Sequence, residues 1–144
     1  MDCYLRPSAA AVKALLTAAE LPTADLRAEH FEHFLACGPQ DSPDAVDGLE
    51  LYGEVALLRS LVVAAATRGK GHGTRLVAAA EAYAGQRGVQ DIYLLTTTAE
   101  AFFHQLGYVT SARAEAPAAI RQTAEFSSLC PANSAFMGKR IGAR

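Results

Sequence analysis

The sequence predicts a mixed α/β (α+β) domain in which about four helices flank a central sheet of six to seven strands. A β-branched run of strand length, residues 54–63, leads through a glycine-rich turn at 68–73 into an alanine-rich helix at 74–86. The apolar run 91–97 follows this helical crossover, so it should pair parallel to the long strand. At 144 residues, the chain has the length of a single domain, 1–144.

Local signals define the elements of the first quarter of the chain. An alternating first strand covers residues 3–6, and Ser8 is the predicted N-cap of a helix that Pro22 ends. A short second helix is expected at 23–30. It is followed by a strand-like stretch at 31–37.

The remaining elements are separated by turn residues. The segment GPQDSPD marks a turn, and Gly88 ends the long helix. The other predicted elements are strands at 45–51, 54–63, 91–97 and 108–112, helices at 99–106 and 117–122, and a closing edge strand at 134–140.

Composition limits the kinds of partner. The chain is 51% hydrophobic and 19% charged, with a formal net charge of -2. This charge gives no reason to expect nucleic acid or an anionic membrane as a partner. No apolar run reaches the roughly 18–20 residues of a membrane span, and the start, MDCYLRPS, lacks the layout of a signal peptide, so a cytoplasmic location is expected.

The cysteines and histidines do not form a recognisable cluster. Cys3, Cys37 and Cys130 are odd in number, widely spaced and without a C-x-x-C pair. This pattern favours reduced, buried thiols over a disulfide framework or a zinc site. Only His30 and His33 have helix-like spacing, so no metal site is predicted.

The turn RGKGHG, residues 68–73, has three glycines at alternate positions. Because glycine has no Cβ, such a turn can point several backbone N–H groups at one anion, and the dipole of the following helix adds positive potential. Arg68 and Lys70 add positive charge. The spacing is neither that of a P-loop nor that of a dinucleotide fingerprint. The expected ligand is a phosphate or pyrophosphate.

The pattern Arg68-x-x-Gly71-x-Gly73 resembles the pyrophosphate-binding loop of the GNAT superfamily of N-acetyltransferases, which lies between the fourth strand and the third helix. The order of predicted elements is similar to the topology of that superfamily. The resemblance implies a sheet splayed between its fourth and fifth strands. It also implies acetyl-CoA as co-substrate, with no metal.

Two further resemblances concern the acceptor. The segments LLTT at 94–97 and FFHQLGY at 102–108 resemble the acetyltransferase domain of N-acetylglutamate synthases. The stretches GLELYGEVALLRSLVV, YLLTTTAEAFFHQLGY and APAAIRQTAEFSSLCP resemble acetyltransferases associated with arsenic-resistance operons. Those are similar to enzymes that acetylate the amino group of phosphinothricin and arsinothricin. A small, glutamate-like amine and a link to arsenic resistance are therefore implied.

In such enzymes the pantetheine arm pairs with the fourth strand and the pyrophosphate binds to the turn. The resemblance implies cofactor-binding roles for Leu61, Val62, Val63, Arg68, Gly69, Lys70, Gly71, His72, Gly73 and Thr74. Lys70 and His72 are explained equally well as solvated turn residues.

Acetyl transfer needs a base for the amine, and an acid can protonate the departing thiolate. Glu54, at the start of the long strand, and Glu50, on its neighbour, are the candidate bases, although surface charge at a hairpin also explains them. Many GNAT enzymes have a tyrosine acid where this chain has Phe103. Three options are left, which are His104, a water molecule and departure of the thiolate without a protein acid, and we favour the last.

A glutamate-like acceptor also needs cations that hold its carboxylates. Arg59 is the first candidate, because an unpaired cation in an apolar strand would be costly. Arg121 and Ser134 follow, in tail segments that resemble the substrate-binding part of the synthase. The arginine expected just before Ser134 is absent.

Other functions remain open at the level of sequence. The missing tyrosine is compatible with a non-catalytic module that binds acetyl-CoA, and a different amine acceptor is also possible. The three cysteines would bind trivalent arsenic if they converged. GNAT proteins commonly form dimers, and the tail strand is the expected edge for a homodimer.

Overall fold

Seven strands form one mixed sheet in the computed structural model, which describes residues 3–142. The order across the sheet is β1-β2-β3-β4-β5-β7-β6. The strands are β1 (Cys3–Leu5), β2 (Phe34–Cys37), β3 (Ala45–Tyr52), β4 (Val55–Val63), β5 (Asp91–Thr96), β6 (Val109–Ser111) and β7 (Ala135–Arg140). The predicted mixed sheet of six to seven strands is confirmed.

β4 and β5 run parallel, as predicted from the helical crossover between them. Their pairing joins Val55–Leu57 to Asp91–Tyr93, the first three residues of each strand. On its other side, β5 pairs antiparallel with β7 along its whole length. The predicted parallel pairing of β4 with β5 is confirmed at these residues.

Four α-helices accompany the sheet in the described part of the chain. They are α1 (Ala9–Ala18), α2 (His72–Gln86), α3 (Glu100–Gln105) and α4 (Ala118–Arg121). The predicted cap of α1 is present, because the Ser8 side chain accepts a hydrogen bond from the Ala11 amide at 3.1 Å. Shorter turns of 3-10 helix cover Ala28–His33, Ala65–Thr67 and Arg113–Glu115, and a π-helix covers Glu125–Leu129.

Two compact units are distinguished within the described residues. The first contains residues 3–50 and 58–83, and the second contains 51–57 and 84–142. The core of the first unit is formed by Val12, Leu16, Leu26, Phe31, Phe34, Ala36 and Val46. The core of the second unit is formed by Leu57, Ala116, Ile120 and Phe136, with Val55, Tyr93, Leu95 and Phe126 against it. Burial of each large side chain contributes about 1.5–3 kcal/mol.

The predicted helix at 23–30 and the strand start at Phe31 are wrong. A 3-10 helix covers Ala28–His33 instead, and β2 begins at Phe34. The Arg27 amide donates to His30 Nδ1 at 2.9 Å, and the Phe31 and Phe34 rings pack 5.5 Å apart in the core. Three-residue spacing places both rings on one side of a 3-10 turn, which outweighs the strand propensity of the segment.

The tail strand is not an edge strand, so the predicted edge for a homodimer is wrong. β7 lies between β5 and β6 and pairs with both. Gly138 permits this position, because a Cβ there would stand 2.8 Å from the ring of Tyr93. The sheet ends at β1 and β6 instead.

The prediction of reduced thiols at Cys3 and Cys37 is also wrong. The two residues lie opposite each other in the antiparallel pairing of β1 and β2, with Cα atoms 4.3 Å apart, and form a disulfide. Cys130 is a free cysteine. The arsenic alternative that needed three thiols therefore loses two of them to the disulfide.

Candidate functional site

The glycine-rich turn joins the end of β4 to α2 in the first unit. Gly69 and Gly71 adopt φ values of 84° and 80°, in the left-handed region that favours glycine. A Cβ at Gly69 would meet nothing within 4 Å, so the backbone faces open space there. The alternating glycines therefore give the turn a conformation that other residues adopt only with strain.

The first turn of α2 presents free amide groups next to these glycines. The Arg75 amide donates to the Gly71 carbonyl at 3.1 Å, which is the first hydrogen bond of the helix. The amides of His72, Gly73 and Thr74 precede that bond, and no described backbone group accepts from them. A 15-residue helix with such a start offers N–H groups and a positive dipole end to an anion.

The side chains of the turn divide into exposed cations and one buried histidine. Arg68 and Lys70 are exposed, and Arg68 Nε donates to the Val63 carbonyl at 3.3 Å. His72 is buried, which is incompatible with a solvated turn residue. Its Nδ1 lies 2.7 Å from Arg75 Nη2 and must be the acceptor, because a guanidinium only donates. His72 is therefore a buried hydrogen-bond partner of Arg75.

The end of β4 precedes the turn. Leu61, Val62 and Val63 are half-buried, and Val62 packs against the core of the first unit. Ser60, just before them, adopts a φ of 60°, which is unusual for a residue with a Cβ. The backbone of β4 therefore changes conformation between Arg59 and the segment predicted to bind the pantetheine arm.

Arg59 is the centre of a buried ion network in the first unit. Its Nη1 donates to Asp25 Oδ2 at 2.5 Å and to Glu50 Oε2 at 2.6 Å, while its Nη2 donates to Asp25 Oδ1 at 3.0 Å. The Arg59 side chain has no exposed surface. The cost of an apolar setting is thus offset by two carboxylates of the chain itself, one of them the candidate base Glu50.

The same network determines the ionisation of Asp25. Partial burial raises the pKa of Asp25, but the hydrogen bonds and the charge of Arg59 outweigh it and hold the pKa below its ordinary value. Potential metal-ligand atoms of Asp25, His30 and Glu50 lie within 4.8 Å of one another. Because Arg59 Nη1 bonds both carboxylates, the guanidinium supplies the cation that this cluster needs.

The predicted catalytic residues lie in the second unit. Glu54 is exposed in the turn before β4, and its carbonyl accepts from the Gln90 amide at 2.7 Å. His104 is exposed on α3, with Nε2 3.2 Å from Thr110 Oγ1. No described contact joins Glu54 to His104. Their catalytic roles stay predictions.

Phe103, which stands where a tyrosine acid was expected, is a core residue. It is buried and packs edge-on against the rings of Phe102 and Tyr108, with centroids 5.0 and 5.6 Å away. It has no proton to donate to a leaving group.

The predicted acceptor-binding residues of the tail differ in exposure. Arg121 is exposed on α4, whereas Ser134 is buried and its Oγ has no hydrogen-bond partner among the described residues. The structure adds Arg113, which sequence reasoning missed. Its Nη1 donates to the Ser134 carbonyl at 3.4 Å and its Nη2 to the Phe126 carbonyl at 3.0 Å. No motif or spacing pointed to this contact, because it joins residues 13 and 21 positions apart.

A family model matches more than half of the chain. The family is described as an acetyltransferase (GNAT) domain, and its model matches residues 28–110, which include β4, the glycine turn and α2. No curated protein sequence matches significantly. Among the helices of residues 3–142, none combines the length and apolar character that a membrane crossing requires.

Solved structures share the fold. N-acetylglutamate synthase from Neisseria gonorrhoeae, complexed with coenzyme A and N-acetyl-glutamate, is 18% identical with a TM-score of 0.84; the alignment covers 99% of this chain and 35% of that one. Rv2747 from Mycobacterium tuberculosis, in complex with CoA, is 18% identical with a TM-score of 0.78, covering 97% and 99%. An aminoglycoside 6'-N-acetyltransferase complexed with coenzyme A is 21% identical with a TM-score of 0.75, covering 100% and 99%. The chain thus spans about a third of the synthase, and these identities establish a common fold.

Proposed function

Because the chain belongs to the acetyltransferase (GNAT) domain family, we propose that it transfers the acetyl group of acetyl-CoA to the amino group of a small, glutamate-like amino acid. Toxins of the phosphinothricin and arsinothricin type, and with them a link to arsenic resistance, fall within this acceptor class. We also propose that residues 1–144 act as a single acetyltransferase domain. The cofactor assignment depends on one observation: a turn whose glycines adopt left-handed backbone conformations leads directly into the N-terminus of α2.

The turn has the chemistry that the pyrophosphate of acetyl-CoA requires. The amides of His72, Gly73 and Thr74 have no backbone acceptor among the described residues. The positive end of the helix dipole lies at the same end of α2 as these amides. Arg68 is exposed and can exchange its contact with the Val63 carbonyl for the ligand. The exposed side chain of Lys70 adds positive charge near the same anion.

The end of β4 is proposed to orient the pantetheine arm. Backbone groups of Leu61 and Val63 would hydrogen-bond the arm as an added strand, while the side chain of Val62 remains in the core. Such pairing places the thioester without a metal. Orientation of this kind is a large part of what an acyl transfer enzyme supplies.

The reaction needs few further groups. A neutral amine attacks the thioester carbonyl, a C–N bond forms, the C–S bond breaks, and the amine proton passes to a base, for which Glu54 acting through water is proposed. Phe103 cannot protonate the sulfur, so the thiolate of CoA departs without a protein acid. His104 is the alternative donor.

Fold likeness supports the choice of acceptor class. The gonococcal synthase structure holds N-acetyl-glutamate beside coenzyme A on a similar fold. Arg59, Arg121 and Ser134 are proposed to contribute to acceptor binding. Since Asp25 and Glu50 already bond Arg59, its part would be to organise the neighbouring acids.

A matched pair of glycine substitutions tests the cofactor site. Gly69 and Gly88 have φ values of 84° and 86°, and a Cβ at either would meet nothing within 4 Å. Gly69→Ala and Gly88→Ala should therefore cost a similar folding free energy, about 1–2 kcal/mol. Only Gly69→Ala should weaken CoA binding, by roughly tenfold or more, because it alone strains the turn.

The readouts are the CoA-induced rise in melting temperature and thiol release from acetyl-CoA with glutamate as acceptor. We expect both to fall for Gly69→Ala and to persist for Gly88→Ala. Equal CoA affinity in the two variants would show that the glycine turn is not part of the cofactor site. Strong CoA binding by the wild type without turnover would favour the non-catalytic module.

A further inference from the structure

Arg113 in the second unit is a cation held in position by neutral groups. Its Nη2 and Nη1 donate to the carbonyls of Phe126 and Ser134 at 3.0 and 3.4 Å, and its guanidinium carbon lies 4.5 Å from the centroid of the Phe126 ring. A guanidinium has five N–H donors, so donors remain for another acceptor. Stacking on the ring and the two carbonyl bonds fix the guanidinium plane.

No acidic side chain among residues 3–142 forms an ion pair with Arg113. Arg113 is nevertheless only half-exposed. Arg59, a fully buried cation of the same chain, is by contrast bonded by two carboxylates. A partly buried cation without a counter-charge is unfavourable in the free protein and becomes favourable when an anion binds.

Ser134 supplies a second polar group at the same place. It is 5% exposed, its carbonyl accepts from Arg113, and its Oγ lacks a hydrogen-bond partner within the described residues. Leaving a buried hydroxyl unpaired costs free energy, so such a group is expected to have a ligand. A hydroxyl beside a planar, forked cation matches the two oxygens of a carboxylate.

We infer that Arg113 and Ser134 form a carboxylate subsite that recognises the distal acid group of the acceptor. This inference rests on the proposed function and deepens it, because it assigns the cation for acceptor specificity to Arg113. It also offers a replacement for the arginine that the synthase resemblance places just before Ser134. The guanidinium is preorganised by Phe126, so little ordering is needed when the anion arrives.

Glutamate and glutamine separate this role from a structural one. Glutamine has the same shape with a neutral amide, so the ratio of the two kcat/KM values measures recognition of the distal charge. Removing a hydrogen bond to a charged group should lower this ratio by roughly 10- to 100-fold in Arg113→Met. A merely structural role would lower both values by the same factor. Arg140→Met, which removes an exposed arginine of the same unit, is the control and should keep the ratio.

Ser134→Ala keeps the test valid if Arg113→Met folds poorly. Removing an unpaired buried hydroxyl should leave the melting temperature unchanged or higher, yet the ratio should fall. An unchanged ratio in well-folded Ser134→Ala and Arg113→Met, with glutamate still acetylated, would overturn the subsite and leave the proposed activity intact.

Glutarate tests the subsite without turnover, since it has the carboxylates but no amine. It should raise the melting temperature of the wild type and have little effect on Arg113→Met. If no acceptor is acetylated but this difference is observed, the proposed activity fails while the subsite stands. Absence of a glutarate shift in the wild type, or an equal shift in both proteins, would overturn the subsite.

Discussion

Replacing Arg59 by methionine should destabilise the fold strongly. The substitution removes the cation between Asp25 and Glu50 and leaves two acids close together, with side chains only 16% and 6% exposed. The three hydrogen bonds from Arg59 to these acids are lost, each worth about 1.5–3 kcal/mol because charged groups take part, and so is the bond from Arg59 Nε to the Ser60 hydroxyl. The partial exposure of Asp25 reduces its share through solvent screening. We therefore expect a loss of about 3–5 kcal/mol, the range for breaking a buried pair by removing one partner.

Urea unfolding of matched variants measures this loss. Arg140→Met is the control, because Arg140 pairs with Asp91 at 2.9 Å while 46% of its side chain is exposed. This variant should lose at most about 1 kcal/mol of the free energy of unfolding. Neutralising both acids in Arg59→Met, through Asp25→Asn and Glu50→Gln, should restore much of the stability. A loss for Arg59→Met no larger than that of the control would refute a buried network.

The pH dependence of this network has a definite sign. Because the pKa of Asp25 is lower in the folded protein than its ordinary value of 3.8, the contribution of its ion pair is present above that value. It is lost as the pH falls further, through the folded-state pKa. Acid unfolding of the wild type should accordingly be shifted to higher pH in Asp25→Asn.

Three further predictions concern other positions. Asp47 is fully buried, neither of its carboxyl oxygens has a hydrogen-bond partner among the described residues, and burial raises its pKa well above 3.8. The stability of the wild type should therefore fall as the pH rises from that value. In urea unfolding between pH 4 and 7, Asp47→Asn should be more stable than the wild type by about 1–3 kcal/mol. Reducing the Cys3–Cys37 disulfide, which spans 34 residues, should lower the free energy of unfolding by about 3–4 kcal/mol in the same assay. A thiol titration that finds three free cysteines in unreduced, unfolded protein would contradict the disulfide. Glu54→Gln should lower kcat by about 10²–10⁴ with little change in KM, and an unchanged kcat would exclude this base.

Much of the fold was predictable because its signals are local. The Ser8 cap, the helix after the glycine turn and the parallel pairing of β4 with β5 follow from short patterns and from the handedness of crossovers. The glycine turn itself was predictable, because left-handed backbone at Gly69 and Gly71 needs the residue that the sequence provides.

Contacts between distant segments were not predictable. The Cys3–Cys37 disulfide depends on the register of β1 against β2, and the position of β7 depends on a glycine that accommodates a neighbouring ring. Both require pairings that a single sequence does not specify.

The candidate site shows the same division. The turn that is proposed to hold the pyrophosphate lies within one short segment and was found from its residues. Arg59 was also singled out from its residues, but the carboxylate of Asp25 that bonds it was not, since it lies 34 residues away. Arg113 was overlooked because its partners lie 13 and 21 residues further along the chain.

Thiol release from acetyl-CoA across a panel of amines tests both the proposed acetyl transfer and its acceptor class. The panel is glutamate, phosphinothricin, arsinothricin, a polyamine and a lysine peptide, each with wild type and with Gly69→Ala. We expect turnover by wild type with the glutamate-like compounds, little with the polyamine and peptide, and a loss of turnover at low acetyl-CoA in Gly69→Ala. Turnover confined to the polyamine or the peptide would contradict the proposed acceptor class, and no turnover with any amine would contradict the enzyme.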